Sequence, residues 1–207
     1  MRIGVVAHTS RAEQANDLAG KVGADYIHWD DGTLGCNKSH RETWAHLAHM
    51  DSEWTVVLED DAEPIPEFRH HLSRAITHAP APIVSLYLGR TRPKTWQNKI
   101  RTATQSADNL DAPWIVSTQL LHAVAVAIRT DLLNSMINAI PDTAIDFAIG
   151  AWARSTGHRV AYTWPSLVDH HDGDSLVRHA YGRTPRGRTA WRTGTRDTWN
   201  QPATVSM

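Results

Sequence analysis

Short apolar runs alternate along this chain with longer stretches in which hydrophobic residues recur at helical spacing. The runs at 3–7, 24–29, 55–58, 83–88, 120–128 and 159–163 have strand length and predict a buried sheet. Helices are predicted over 11–22, about 40–49, 67–78, 131–140 and 143–155. Ser10 and Gly23 frame the first of these as cap and stop. Ser39 with Glu42, and Thr143 with Asp146, have the spacing of capping boxes. The opening strand–helix–strand order predicts an α/β fold with a parallel sheet of Rossmann type. The polar stretch 91–113, with Arg92, Lys94, Lys99 and Arg101, lacks a clear period and reads as an acceptor-side or lid loop.

One apolar run differs from the others in how it ends. Thr55-Val56-Val57-Leu58 passes directly into Glu59-Asp60-Asp61, and Pro64 and Pro66 soon bar any continuation of the strand. In open α/β sheets ligands bind outside the carboxyl ends of the strands. Carboxylates crowded there repel unless a cation sits between them, and hard divalent ions take oxygen ligands. A metal site that holds an anionic phosphate substrate is one reading, and a solvated acidic loop is the other. His8, Thr9 and Arg11 would lie at the mouth of the first strand, where nucleotides bind, or serve ordinary loop and cap chemistry. Gly35 to His40 leads into a helix start that could receive a phosphate, and capping leaves Lys38 unexplained. Late in the chain, His170 and His171 lie in an acidic loop after a strand and could bring imidazole to the same metal as Asp61, or be merely solvated.

Composition narrows the setting. The chain has 207 residues with 41% hydrophobic, enough for one domain with a sizeable core. Its apolar runs fall well short of the roughly 20 residues of a membrane span, and no signal-peptide pattern opens it. A single cysteine, Cys36, fits a reducing compartment, so a cytoplasmic protein is expected. The net charge of -1 hides an asymmetry, because six arginines (178, 183, 186, 188, 192, 196) and one acid, Asp197, crowd the segment 178–199. A body over 1–177 followed by a basic C-terminal tail over 178–207 is therefore expected.

Three segments resemble, in order, those of glycosyltransferase family 25, which includes lipopolysaccharide and procollagen galactosyltransferases. Gly35-Cys36-Asn37-Lys38-Ser39-His40 is similar to its Gly-Cys-x-x-Ser-His segment. Val57-Leu58-Glu59-Asp60-Asp61-Ala62 is similar to its version of the metal-binding DxD motif. Pro165-Ser166-Leu167-Val168-Asp169-His170 with Ser175 is similar to its late segment, although Asp169 stands where glutamine is frequent. The resemblance implies a GT-A (Rossmann-like) mixed, mainly parallel sheet flanked by helices, a nucleotide-sugar donor, and Mn2+ or Mg2+. It also implies that Asp61 and His170 hold the metal and that Glu59 and Asp60 support the donor ribose and the metal shell. Asp146, at a helix start, matches the general base of inverting enzymes of this kind, or else is only the second half of a capping box.

The expected activity is transfer of a sugar to an acceptor hydroxyl, with inversion at the anomeric carbon. The acceptor could be a saccharide, a protein hydroxyl or a modified DNA base. Two rival readings stand beside it. One is a metal-dependent hydrolase using Asp60, Asp61 and the His170-His171 loop, which leaves Lys38 and the Gly-Cys segment without a role. The other is a nucleic-acid-associated protein, whose tail arginines interleave with Tyr181, Trp191 and Trp199.

Overall fold

The computed structural model describes residues 1–172 and 187–207. Ten strands are found there: β1 (Arg2–His8), β2 (Tyr26–Asp30), β3 (Trp54–Glu59), β4 (Ala62–Pro64), β5 (Ile83–Ser85), β6 (Trp114–Ser117), β7 (Ala125–Arg129), β8 (Val160–Thr163), β9 (Val168–His170) and β10 (Thr204–Ser206). The helices are α1 (Ala12–Val22), α2 (Cys36–Ala48), α3 (Phe68–Ile76), α4 (Gln97–Asn109), α5 (Leu133–Ala139) and α6 (Ile145–Ser155). Eight strands form one mixed, mainly parallel sheet in the order β10-β6-β8-β5-β7-β3-β1-β2, and β4 pairs with β9 in a small antiparallel ladder. No described helix is long and apolar enough to cross a membrane.

Strand periodicity separates two cores. Ile3, Val5, Val56, Leu58, Ala125 and Ala127 face one side, against Leu18 of α1 and Leu72 of α3. Val6, Val57, Val126 and Ile128 face the other, against Trp44 of α2, Ile100 of α4, Met136 of α5 and Trp152 of α6. The helices thus cover both faces, as a predominantly parallel sheet requires. Gly4 permits the close approach of α2 to β1, since a Cβ there would lie 2.7 Å from Leu47 Cδ1.

Several local expectations are corrected. Residues 97–109 are helical, and their buried stripe Ile100, Ala103, Thr104 and Ala107 packs on the sheet. Its contrast is low because most of its members are small or polar. α1 is preceded by a 3-10 turn, so Arg11 and not Ser10 takes the cap position. α2 begins at Cys36 after Gly35, whose φ of +82° favours glycine. Ser39 is therefore inside the helix, with its hydroxyl donating to Gly35 O, and the Ser39–Glu42 box does not form. The Thr143–Asp146 box does not form either, because Asn37 Oδ1 accepts the Ile145 N–H.

The described part of the basic segment is built into the domain. Arg192 pairs with Asp108 and lies over the Trp164 ring, and Arg196 pairs with Asp111. Trp199 is buried beside Trp114, and β10 joins the sheet next to β6. Arg178, Arg183, Arg186, Tyr181, Ser175 and the expected boundary at 177 lie outside the described residues.

Candidate active site

A cleft of about 710 Å³ opens where β1, β2, β3 and β5 end and where the antiparallel β7 begins. This is the edge at which α/β sheets bind ligands, because strand ends and helix starts leave backbone groups facing outward. His8, Arg11, Glu59, Asp60, Asp61, Asp146 and His170 all line it. Thr9 and Lys38 do not, and Lys38 is instead exposed, 4.0 Å from Asp142. The first turn of α2, through Cys36 and Asn37, faces the cleft in place of that lysine.

The three acids at the end of β3 have different surroundings. Asp60 accepts the His8 N–H and an Arg11 Nη1–H, each at 2.8 Å, which ties the β1–α1 connection to β3. Asp61 shares the same Arg11 nitrogen at 3.0 Å. Burial, and secondarily the Glu59 charge, push the Asp61 carboxyl above its ordinary pKa. Its Oδ1 is buried without a hydrogen-bond partner. His170 Nε2 lies 3.5 Å from Asp61 Oδ2, and the β4–β9 register, which sets Ala62 opposite His170, brings the two together. Ser166 anchors the approach to β9, with Oγ accepting the Leu88 N–H. Asp61 thus keeps Oδ1 unpartnered while Arg11 and the His170 imidazole lie at Oδ2, a carboxylate and imidazole set that fits a hard divalent cation. His171 turns away to Glu63.

Asp30 organises the loop before α2. It accepts N–H groups of Gly32, Leu34 and Gly35, and the Ser39 hydroxyl. Burial alone would raise its pKa, but these bonds hold it below the usual carboxylate range. At the start of α6, which Asn37 of α2 ties to this loop, burial raises the Asp146 pKa despite the Phe147 N–H bond, and the charge of Glu59 adds to the shift. A carboxyl with a raised pKa at a cleft wall can take a proton more readily than an ordinary aspartate.

Sequence reasoning passed over several lining residues. Tyr87 donates to Arg188 O at 2.6 Å and meets the His122 ring edge-to-face. Burial pushes the His122 imidazole down to about 4, so it lines the cleft as a neutral ring. Arg188 also lines the cleft, and Asp172 accepts its N–H and that of Gly187. His40 Nε2 contacts Glu59 Oε1 at 3.1 Å. Burial would lower the His40 pKa, but Cys36 and Glu59 raise it to about 10. No sequence period marks these residues, because their partners come from distant segments.

Fold and site define an α/β protein with an acidic cleft at the carboxyl edge of its sheet. Residues 13–112, just under half of the chain, match the model of glycosyltransferase family 25 (LPS biosynthesis protein), and this match supports a family 25-like glycosyltransferase. No curated protein matches the chain. Among solved structures it is similar to A197 from STIV, with 10% identity, a TM-score of 0.48 and coverage of 87% of this chain and 100% of that one. It is also similar to the inositol-1-phosphate CTP transferase from T. maritima, with 11% identity, a TM-score of 0.40 and coverage of 78% and 65% respectively. A third likeness is to CMP:2-keto-3-deoxy-manno-octonic acid synthetase complexed with CTP, at 12% identity and a TM-score of 0.40, covering 78% and 88%.

Proposed function

We propose that the protein moves a sugar from a nucleotide-sugar donor to an acceptor hydroxyl with inversion, and that it uses Mn2+ or Mg2+. The observation that carries this reading is that Asp61, with its unpartnered buried oxygen, and Asp146, with its raised pKa, share one cleft. Asp61 and His170 would hold the cation, which stabilises charge developing on the leaving diphosphate. Arg11 fixes Asp60 and Asp61 relative to β1, and Glu59 and His8 face the donor side. Asp146 takes the proton of the acceptor hydroxyl. The acceptor oxygen bonds to the anomeric carbon as the sugar–phosphate bond breaks, and the electron pair leaves on the diphosphate.

A saccharide acceptor is favoured by the LPS-biosynthesis description of the matching family. The DNA-associated reading loses support from Arg192 and Arg196, whose charges are engaged by Asp108 and Asp111. A panel of nucleotide sugars, scored for nucleotide release with Mn2+, with Mg2+ and with EDTA, tests the proposal. Release from one donor that needs the metal and rises with a saccharide acceptor is expected. Full activity in EDTA would overturn the metal assignment, and the absence of release from every donor would overturn the reaction.

A further inference from the structure

Cys36, His40 and Glu59 form a second cluster in the same region, and no role assigned above explains their convergence. One ligand atom from each lies within 4.8 Å of the others, the one set of three His, Cys, Asp or Glu residues among the described residues that comes together in this way. Cys36 and His40 are four residues apart on α2 and so share a face of that helix. Glu59 is the last residue of β3. Two rigid elements packed on each other therefore set the spacing, and no loop has to close to form it.

The donor set is a thiol, an imidazole and a carboxylate. Thiolate and imidazole suit Zn2+ and its relatives, whereas Mg2+ and Mn2+ favour oxygen. A nucleophilic relay is a competing explanation, since cysteine, histidine and glutamate also occur in such relays. A relay uses both ring nitrogens of the histidine, one toward the nucleophile and one toward the orienting carboxylate. Here Cys36 and Glu59 both hydrogen-bond the imidazole, but Glu59 is on Nε2 and Nδ1 is buried without a partner, so the two are not held on opposite ring nitrogens as in a relay. His40 itself is 1% exposed, held inside the fold, while Cys36 and Glu59 line the cleft.

We propose that Cys36, His40 and Glu59 form a binding site for a thiophilic divalent cation of the Zn2+ class, with its remaining coordination position open to the cleft. Three protein ligands with one open position is a common arrangement for zinc that is not purely structural. The site is distinct in ligand chemistry from the oxygen-rich position at Asp61. It does not depend on the glycosyl-transfer reading, because its readout is metal binding alone.

Cobalt titration of the full chain, fully reduced and free of added thiol, tests it. One equivalent of Co2+ is expected to give a thiolate-to-cobalt charge-transfer band and the visible bands of a four-coordinate site, both bleached by one equivalent of Zn2+. Cys36→Ser should remove the charge-transfer band and weaken Zn2+ binding at least about 10–100-fold, the loss seen even for outer partners of metal ligands. Glu59→Gln and His40→Gln should each weaken cobalt binding, and Asp61→Asn should leave the spectrum unchanged. No charge-transfer band in the wild-type chain would overturn the proposal. A band that persists undiminished in Glu59→Gln would also overturn it, by showing an isolated cysteine. Cys36 is exposed and Glu59 is at a strand end, so these two variants decide the matter even if His40→Gln fails to fold.

Discussion

Asn37 Oδ1 accepts the backbone N–H of Ile145 at 3.1 Å, so a side chain in the first turn of α2 caps the start of α6 from 108 residues away. The next residue is Asp146, and the contact therefore sets the position of the proposed base. Asn37→Ala should cost about 0.5–2 kcal/mol, the usual effect of losing a helix cap. Turnover should fall further than stability implies, up to about 10²-fold, because small misplacements of a reacting group are expensive. Melting temperature and kcat measured together check this, and an unchanged kcat would show that Asp146 is held by other contacts.

Asp61 offers a test in which stability and activity move in opposite directions. Its pKa is raised by burial and by Glu59. A raised carboxyl favours folding only while protonated. Its contribution is present below the ordinary value of 3.8 and is lost as pH rises through the folded-state value. At neutral pH the ionised side chain is a burden on the fold when no metal is bound. Asp61→Asn should keep or raise the melting temperature in EDTA while abolishing metal-dependent donor binding and transfer. Calorimetry with and without Mn2+ separates these effects, and a variant that retains metal-dependent donor binding would move the metal site elsewhere.

Asp146→Asn distinguishes a base from a residue that only orders the helix start. The amide keeps an oxygen for the Phe147 N–H but cannot accept a proton. Loss of kcat by about 10²–10⁴-fold is expected, with nearly normal donor affinity. In the wild-type enzyme kcat/KM should fall on the acid side as Asp146 protonates, at a pH above that of an ordinary aspartate. Stability should follow the opposite course, because the raised group stabilises the fold below 3.8 and loses that contribution as pH rises. An unchanged acid limb in Asp146→Asn would assign the proton to another group.

Six of the ten described strands and the acidic edge were legible because they follow from short-range patterns, whereas the short β4, β6, β9 and β10 were not. β1 and β3 have uninterrupted apolar runs, and the abrupt change at Glu59 marks the strand end that reaches the cleft. α4 was not legible, since a stripe of Ile100 with alanines and a threonine differs little from its polar surroundings. The capping-box readings failed for a different reason. Asp30 and Asn37 satisfy the helix starts from elsewhere, and nothing near Ser39 or Thr143 in sequence reveals that competition. His122 and Tyr87 were missed in the same way, because their place in the cleft depends on the pairing of β5 with β7.

The basic segment gives the last prediction. Six arginines in a short stretch suggest an appendage that could be removed without harm to the body. Its described portion instead carries a buried tryptophan, Trp199, 5.2 Å from Trp114, and the edge strand β10. Trp199→Ala should therefore cost about 3–5 kcal/mol, as for a large aromatic removed from a core. Arg192→Ala, whose partner Asp108 is half-exposed, should cost no more than about 1 kcal/mol. Truncation after residue 186 should lower the melting temperature at least as much as Trp199→Ala, and it also removes Arg188 from the cleft wall, so activity should fall at least as far as the folded fraction. Chemical unfolding of the three proteins, with circular dichroism as the probe, measures this order. A truncated chain with the wild-type unfolding midpoint would show that the segment is an appendage after all.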